Sequence, residues 1–175
     1  VSEGISRGHP FDLTGLTAIV TGANTGIGQG IAVALARAGA GIAAVGRSSM
    51  DETGALVAET GAPFLAIQAD LGSIEPVASI IRQTVEWSGR ADVLVNNAGI
   101  IRRADSIDFT EEDWDAVMNV NLKSAFFLAQ AFARQLLADG RPGKVINIAS
   151  MLSFQGGIRV PSYTASKSGI AGLTR

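Results

Sequence analysis

Short apolar runs alternate with longer segments of helical period along almost the whole chain, the pattern of βαβ units wound around a parallel sheet. Leu16–Val20, Ile42–Val45, Phe64–Gln68, Asp92–Asn96 and Lys144–Ile148 are predicted to form five strands. Most are apolar throughout rather than alternating, so helices should cover both faces of the sheet. Ile27, Ile31, Leu35 and Ala38 mark one face of a first helix that ends near Gly39. Ile74–Trp87 reads as a similar helix, and Thr110 with Asp113 as an N-terminal cap ahead of Trp114–Met118. Asn119–Leu137 is predicted as one long helix whose apolar residues occupy more than one face, so that it packs on the sheet and on another subunit. Ser162–Arg175 reads as the opening turns of a further helix. A crossover helix in a parallel sheet is followed by another strand, so the pattern predicts a C-terminal portion beyond this sequence.

Composition narrows the classes. A length of 175 residues suits one domain, and 47% hydrophobic against 17% charged residues argues for a packed interior rather than a disordered chain. The expected layout is an N-terminal arm over residues 1–11 and a single domain over 12–175. Fourteen basic against sixteen acidic side chains give a net charge of -2, which offers nucleic acid no basic surplus. There is no cysteine, which removes disulfides, thiolate metal sites and thiol catalysis together. His9 is the only histidine, so a histidine metal centre or a Ser-His-Asp triad is poorly supplied. Apolar stretches such as Gly39–Val45 and Ser124–Phe132 are too short to span a membrane, and Val1–Asp12 lacks the form of a secretory signal. The expectation is a cytoplasmic protein with no membrane partner.

Two sites carry candidate chemistry. The turn Thr21-Gly22-Ala23-Asn24-Thr25-Gly26-Ile27-Gly28 joins the first strand to the first helix, where exposed backbone N–H groups and the helix dipole favour an anion such as a pyrophosphate. Its spacing has three residues between the first two glycines and departs from G-x-G-x-x-G. At the end of the second strand an acid would accept from a ribose diol, whereas an arginine would pair with a 2′-phosphate. Gly46 stands there with Arg47, Ser48 and Ser49 after it, which favours NADP over NAD; Asp51 is close enough to oppose that reading, and a solvated loop arginine is the plain alternative.

Farther along, Tyr163 and Lys167 are four apart and would share one helix face. An ammonium beside a phenol stabilises the phenolate, making the pair a plausible acid/base unit. Ser150 closes the fifth strand at the carboxyl edge of the sheet, where its hydroxyl would hold a substrate oxygen or merely cap a turn.

With Thr21–Gly28, Asp70-Leu71, Asn96-Asn97-Ala98-Gly99, Asn121 in Asn-Val-Asn-Leu, Ser150, Tyr163 and Lys167 in this order, the chain from Asp12 to Arg175 resembles the short-chain dehydrogenase/reductase family. The resemblance implies a Rossmann-like doubly wound α/β domain that here lacks the family's last strands. It implies an NAD(P)-dependent oxidoreductase acting on CH-OH groups, in which Tyr163 gives or takes the proton and Lys167 lowers its pKa and holds the nicotinamide ribose. Ser150 would position the carbonyl or alcohol, and Asn121, with Asn119 as its rival, would hold a water of the proton relay. Cofactor contacts are then expected at Thr21, Gly22, Asn24, Thr25, Gly26, Ile27, Gly28, Arg47, Asp70, Leu71, Asn97, Ala98, Gly99, Ile148, Tyr163 and Lys167, with no metal.

Within the family, the segments 96–103 and 146–163 resemble the gluconate- and deoxygluconate-type sugar-acid dehydrogenases. Arg102 or Arg103, with Arg159, would grip the substrate carboxylate in bidentate fashion, the alternative being surface pairs with Asp105 or another acid. The nearest of these sugar-acid enzymes are expected to use NAD, in tension with Arg47. The resemblance also implies a homotetramer. A 3-oxoacyl-thioester reductase and a dinucleotide-binding module without turnover are the competing readings.

Overall fold

A computed structural model describes residues 10–175. His9 and most of the arm predicted over 1–11 lie outside the described residues. The rest forms one parallel sheet in the order β3-β2-β1-β4-β5, with β1 (Thr17–Thr21), β2 (Gly41–Gly46), β3 (Phe64–Gln68), β4 (Val93–Asn96) and β5 (Lys144–Asn147). Each bound falls within a residue of the apolar run that predicted it. β1 lies at the centre, with Val20 level with Ala44 of β2 and with Val95 of β4. The chain steps outward from β1 to β3, then returns to the other side of β1 for β4. That reversal opens a crevice at the carboxyl ends of β1 and β4, the usual ligand position in such sheets.

Alternate residues of the central strands feed two cores. Ala18, Val20, Ile42, Ala44, Val93 and Val95 face one side, which is covered by α1 (Gly26–Arg37) and α2 (Asp51–Ala58). Ile19, Ala43, Val45 and Leu94 face the other, covered by α3 (Val77–Ser88) and α5 (Ser124–Asp139) through Ile80, Ile81, Leu128 and Phe132. Strands covered on both sides have no polar face to alternate with. Among the described residues β5 is the outer strand on its side, and its Val145 and Ile146 are partly exposed.

Four local expectations need correction. The buried face of α1 is Gly28, Ala32, Val33 and Ala36, whereas Ile27 is 70% exposed. Small residues let this helix lie close to the sheet at the centre of the contact, and Ile31 and Leu35 of the predicted face pack beside them, partly buried. α2 was not expected at all, because only Thr53 and Val57 are buried and Gly54 interrupts its period. α3 begins at Val77 after Pro76, leaving Ile74 outside the helix. Finally, Asn119–Leu137 is not one regular helix: α4 (Glu111–Met118) runs into a π-helical turn, Asn119–Lys123, before α5. The cap of α4 is as expected, Thr110 accepting from the Asp113 N–H at 3.2 Å. The last helix is α6 (Pro161–Thr174).

Candidate active site

The turn after β1 is shaped by close approach. Gly22 (φ 65°) and Gly26 (φ 59°) occupy the left-handed region that favours glycine. A Cβ on Gly28 would collide with the Gly22 carbonyl and the Asn97 amide, and one on Gly22 would lie 2.9 Å from Ala98 Cα. Thr25 precedes α1 without a side-chain cap, and no acid stands in the first turn. The helix therefore presents uncapped N–H groups and an uncompensated positive end to the crevice.

The crevice encloses about 510 Å³. Its walls include Gly22, Asn24, Thr25, Gly26, Ile27 and Gly28 from the turn, Arg47 beyond β2, Asp70 and Leu71 beyond β3, and Asn97, Ala98 and Gly99 beyond β4. These predicted contacts are gathered from four loops into one cleft. Gly46, Ser48, Ala69, Ile100 and Val120 also line it and were not predicted; each adjoins a residue that was. Arg47 is exposed, its carbonyl accepts from Gln68 Nε2 at 3.1 Å, and Asn24 Nδ2 donates to Ser48 Oγ at 3.0 Å. Asp51 does not line the cleft, since it starts α2.

Of the expected cofactor contacts, Thr21, Ile148, Tyr163 and Lys167 are not among the residues that line this cleft. Thr21 is buried, and its hydroxyl accepts the Asn97 and Ala98 N–H groups at 3.0 Å each and donates to Val95 O at 3.3 Å. Asn97 Nδ2 returns to Thr21 O at 2.9 Å and to Gly22 O at 3.3 Å. Thr21 therefore ties the two loops together instead of facing the cleft. Ile148 packs against the core on the α1 side and offers its carbonyl to Lys167.

Tyr163 and Lys167 lie on α6, with the Lys167 ammonium 5.8 Å from the phenol ring centroid. Lys167 is 5% exposed and donates to Ile148 O at 2.6 Å; burial pushes its pKa below the ordinary lysine value. Ser150 caps a short 3-10 turn, Met151–Ser153, its Oγ accepting from Leu152 N at 3.2 Å, so its own O–H can still donate. Ser153, absent from the predicted set, accepts from Ser150 N at 3.2 Å and donates to Lys167 O at 2.7 Å. It links the serine turn to α6.

Asn121, buried in the π turn, accepts from Ile100 N at 2.8 Å and donates to Ile100 O at 2.9 Å and Ser166 Oγ at 3.2 Å. Both Nδ2 hydrogens are thereby occupied, leaving a lone pair of Oδ1 for any water.

Of the three arginines, Arg102 pairs with Asp113 at 3.1 Å and Arg159 with Asp105 at 3.0 Å, all four side chains being well exposed. Both take the surface-pair alternative. Arg103 is exposed, and no salt bridge engages it among the described residues. Arg159 holds φ 61°, and its carbonyl accepts the Ala104 N–H at 3.2 Å, tying the loop after β4 to the loop before α6. Among the described residues no group of acidic or histidine side chains is placed to hold a metal.

The sequence model of the short chain dehydrogenase family matches residues 16–175. The chain belongs to that family. It is 54% identical over 167 residues to a 2-dehydro-3-deoxy-D-gluconate 5-dehydrogenase of Dickeya dadantii, covering 95% of this chain and 66% of the relative. It is 41% identical over 177 residues to a gluconate 5-dehydrogenase of Gluconobacter oxydans, with coverages of 95% and 66%. Among solved structures, an Agrobacterium tumefaciens protein with the provisional name 2-deoxy-D-gluconate 3-dehydrogenase and bound NADP is 57% identical, with a TM-score of 0.87 over 95% of this chain and 65% of that one. The chain spans about two thirds of the length of these relatives. No helix among the described residues is long and apolar enough to cross a membrane.

Proposed function

We propose that this short-chain dehydrogenase is an NADP-linked oxidoreductase that interconverts a secondary alcohol and a ketone on a sugar acid of the gluconate or deoxygluconate type. The observation that carries the reading is Lys167, buried against Tyr163 and held by the Ile148 carbonyl, on the helix that also braces the Ser150 turn. A binding module has no need of a buried ammonium beside a phenol. The cleft fits a dinucleotide: uncapped N–H groups of α1 suit the pyrophosphate, and glycine at 22, 26 and 28 permits its close approach. Arg47 lines the wall and makes no salt bridge among the described residues, which suits a 2′-phosphate. When bound, the nicotinamide supplies the hydride acceptor or donor.

In the oxidative direction the Tyr163 phenolate takes the alcohol proton as the carbonyl forms; in reduction the phenol returns it. Ser150 donates its O–H to the same substrate oxygen. Lys167 has donors left after Ile148 to hold the nicotinamide ribose and favour the phenolate. Arg103, which no salt bridge engages among the described residues, is the arginine left to meet the substrate carboxylate, with Arg159 joining only by releasing Asp105. The names of the relatives support the substrate class. The assembly is a cytoplasmic homotetramer, with exposed Phe126 of α5 within an interface between copies; a stable monomer in light scattering would remove that element.

The test is absorbance at the reduced-nicotinamide band with NADP or NAD and gluconate or 2-deoxygluconate, and with NADPH or NADH and the corresponding keto acids. Turnover with the sugar acids that vanishes in Tyr163→Phe supports the reading. Preference for 3-oxoacyl thioesters would replace the substrate, and cofactor binding without turnover of either class would leave a binding module.

A further inference from the structure

Ser166 is fully buried on α6 and belongs neither to the acid/base pair nor to the wall of the cleft. Its hydroxyl donates to Tyr163 O at 2.8 Å and accepts from Asn121 Nδ2 at 3.2 Å. Asn121 in turn grips both backbone groups of Ile100, a residue of the cleft wall. One hydroxyl thus connects the backbone of the proton-transfer residue to the backbone of the cofactor cleft.

The local packing is built around this contact. Ser166 and Gly169 lie on neighbouring positions of one α6 face. A Cβ on Gly169 would stand 2.9 Å from Leu122 of the π turn, so the missing side chain lets the helix approach closely. The wide π turn carries Asn121 inside, where its amide is buried. π-helical turns often mark functional sites, here by re-aiming one side chain across two elements.

We infer that Ser166 is a positioning residue that fixes the depth and register of Tyr163 relative to the cofactor cleft through Asn121 and Ile100. The inference rests on the oxidoreductase reading for its catalytic consequence, though not for its physical link. Replacing Ser166 by alanine leaves one Asn121 hydrogen buried without an acceptor and uncouples α6 from the cleft wall. A misplacement of the reacting groups lowers the rate of chemistry more than it weakens cofactor binding.

The experiment compares wild type, Ser166→Ala, Asn121→Ala and the double variant by amide hydrogen exchange at Ile100 and by steady-state kinetics with NADP and a sugar acid. Expected are Ile100 exchange faster by about tenfold in each variant, and kcat lower by about tenfold in Ser166→Ala with KM for NADP within about twofold. The double variant should be no slower than Asn121→Ala alone, since the two residues act as one connection. Wild-type exchange at Ile100 in Ser166→Ala would overturn the link, and faster exchange with unchanged kcat would overturn the positioning role. If Ser166→Ala does not fold, Ser166→Cys, which keeps the volume but replaces the hydroxyl by a weak thiol, carries the same comparison, and wild-type exchange at Ile100 with unchanged kcat in it would overturn the positioning role. Faster exchange in a protein whose wild type turns over no sugar acid would sustain the link while defeating the oxidoreductase reading.

Discussion

At the amino end of the sheet, the buried Asp92 carboxylate accepts from Thr17 N at 2.8 Å and from Arg90 Nε and Nη2 at 2.7 Å each, with Arg141 Nη1 at 3.7 Å. Arg141 is itself held by Asp139 at 2.8 Å. At the carboxyl end of the same strands, the first N–H groups of α1 lack a side-chain cap, Arg47 is exposed and Ser150 retains a donor. Polar groups that satisfy one another at one end hold the strands in register; groups left open at the other are available to a ligand. Both ends use backbone N–H groups and charge, and the difference is whether a protein side chain already fills them.

Breaking this comparison begins with Tyr163→Phe, expected to lower kcat by about 10²- to 10⁴-fold while leaving cofactor binding and Tm close to wild type. Reduced-nicotinamide absorbance and nucleotide fluorescence measure the two parts. At the opposite end, Asp92→Ala should cost about 3 kcal/mol of stability, because it leaves Arg90 and the Thr17 N–H without their acceptor. Chemical denaturation would show it, with turnover per folded molecule unchanged.

Asp92 also gives a pH dependence. Burial alone would raise its carboxyl pKa, but hydrogen bonds from Arg90 and the Thr17 N–H, with the charges of Arg90 and Arg141, outweigh it and hold the value below the ordinary one. A carboxyl depressed in the folded state stabilises above its unfolded pKa of about 4, and that contribution is lost as pH falls through the folded value. Acid denaturation of wild type should therefore be steeper than that of Asp92→Asn.

Gly28→Ala should strain the turn by about 1–3 kcal/mol, because the new Cβ meets the Gly22 backbone, which cannot move aside, as well as the Asn97 amide. It would weaken nucleotide binding in titration. The smallest effect is at Arg47→Ala, expected to lower affinity for NADP relative to NAD by about tenfold, one charge-assisted contact in an exposed place. An unchanged ratio would detach Arg47 from cofactor choice.

The strands were legible because burial on both faces leaves only apolar residues to see. The glycine turn and the shared helix face of Tyr163 and Lys167 were legible because few residue types permit that backbone and because a step of four residues fixes one face of a helix. α2 was hidden by Thr53 and Gly54, and the centre of the α1 contact by its small residues Gly28, Ala32 and Ala36, beside which the predicted Ile31 and Leu35 pack. Hydropathy carries no sign of hydrogen-bond register, so the π turn at Asn119–Lys123 looked like ordinary helix. Ser153 and Ser166 could not be distinguished from other serines, because their importance lies in the partners that folding brings to them. Sequence offers Asp105 as a surface partner for Arg102, Arg103 and Arg159, but that it takes Arg159, and that Asp113 takes Arg102, follows only once the loops are placed.

The central claim is that the open carboxyl end performs the chemistry while the closed amino end holds the fold. Its most direct test is to measure Tm and NADP-linked turnover of a sugar acid side by side for Tyr163→Phe and Asp92→Asn. The account predicts turnover lost with Tm kept in the first variant, and Tm lowered with turnover per folded molecule kept in the second. Full turnover in Tyr163→Phe would contradict it.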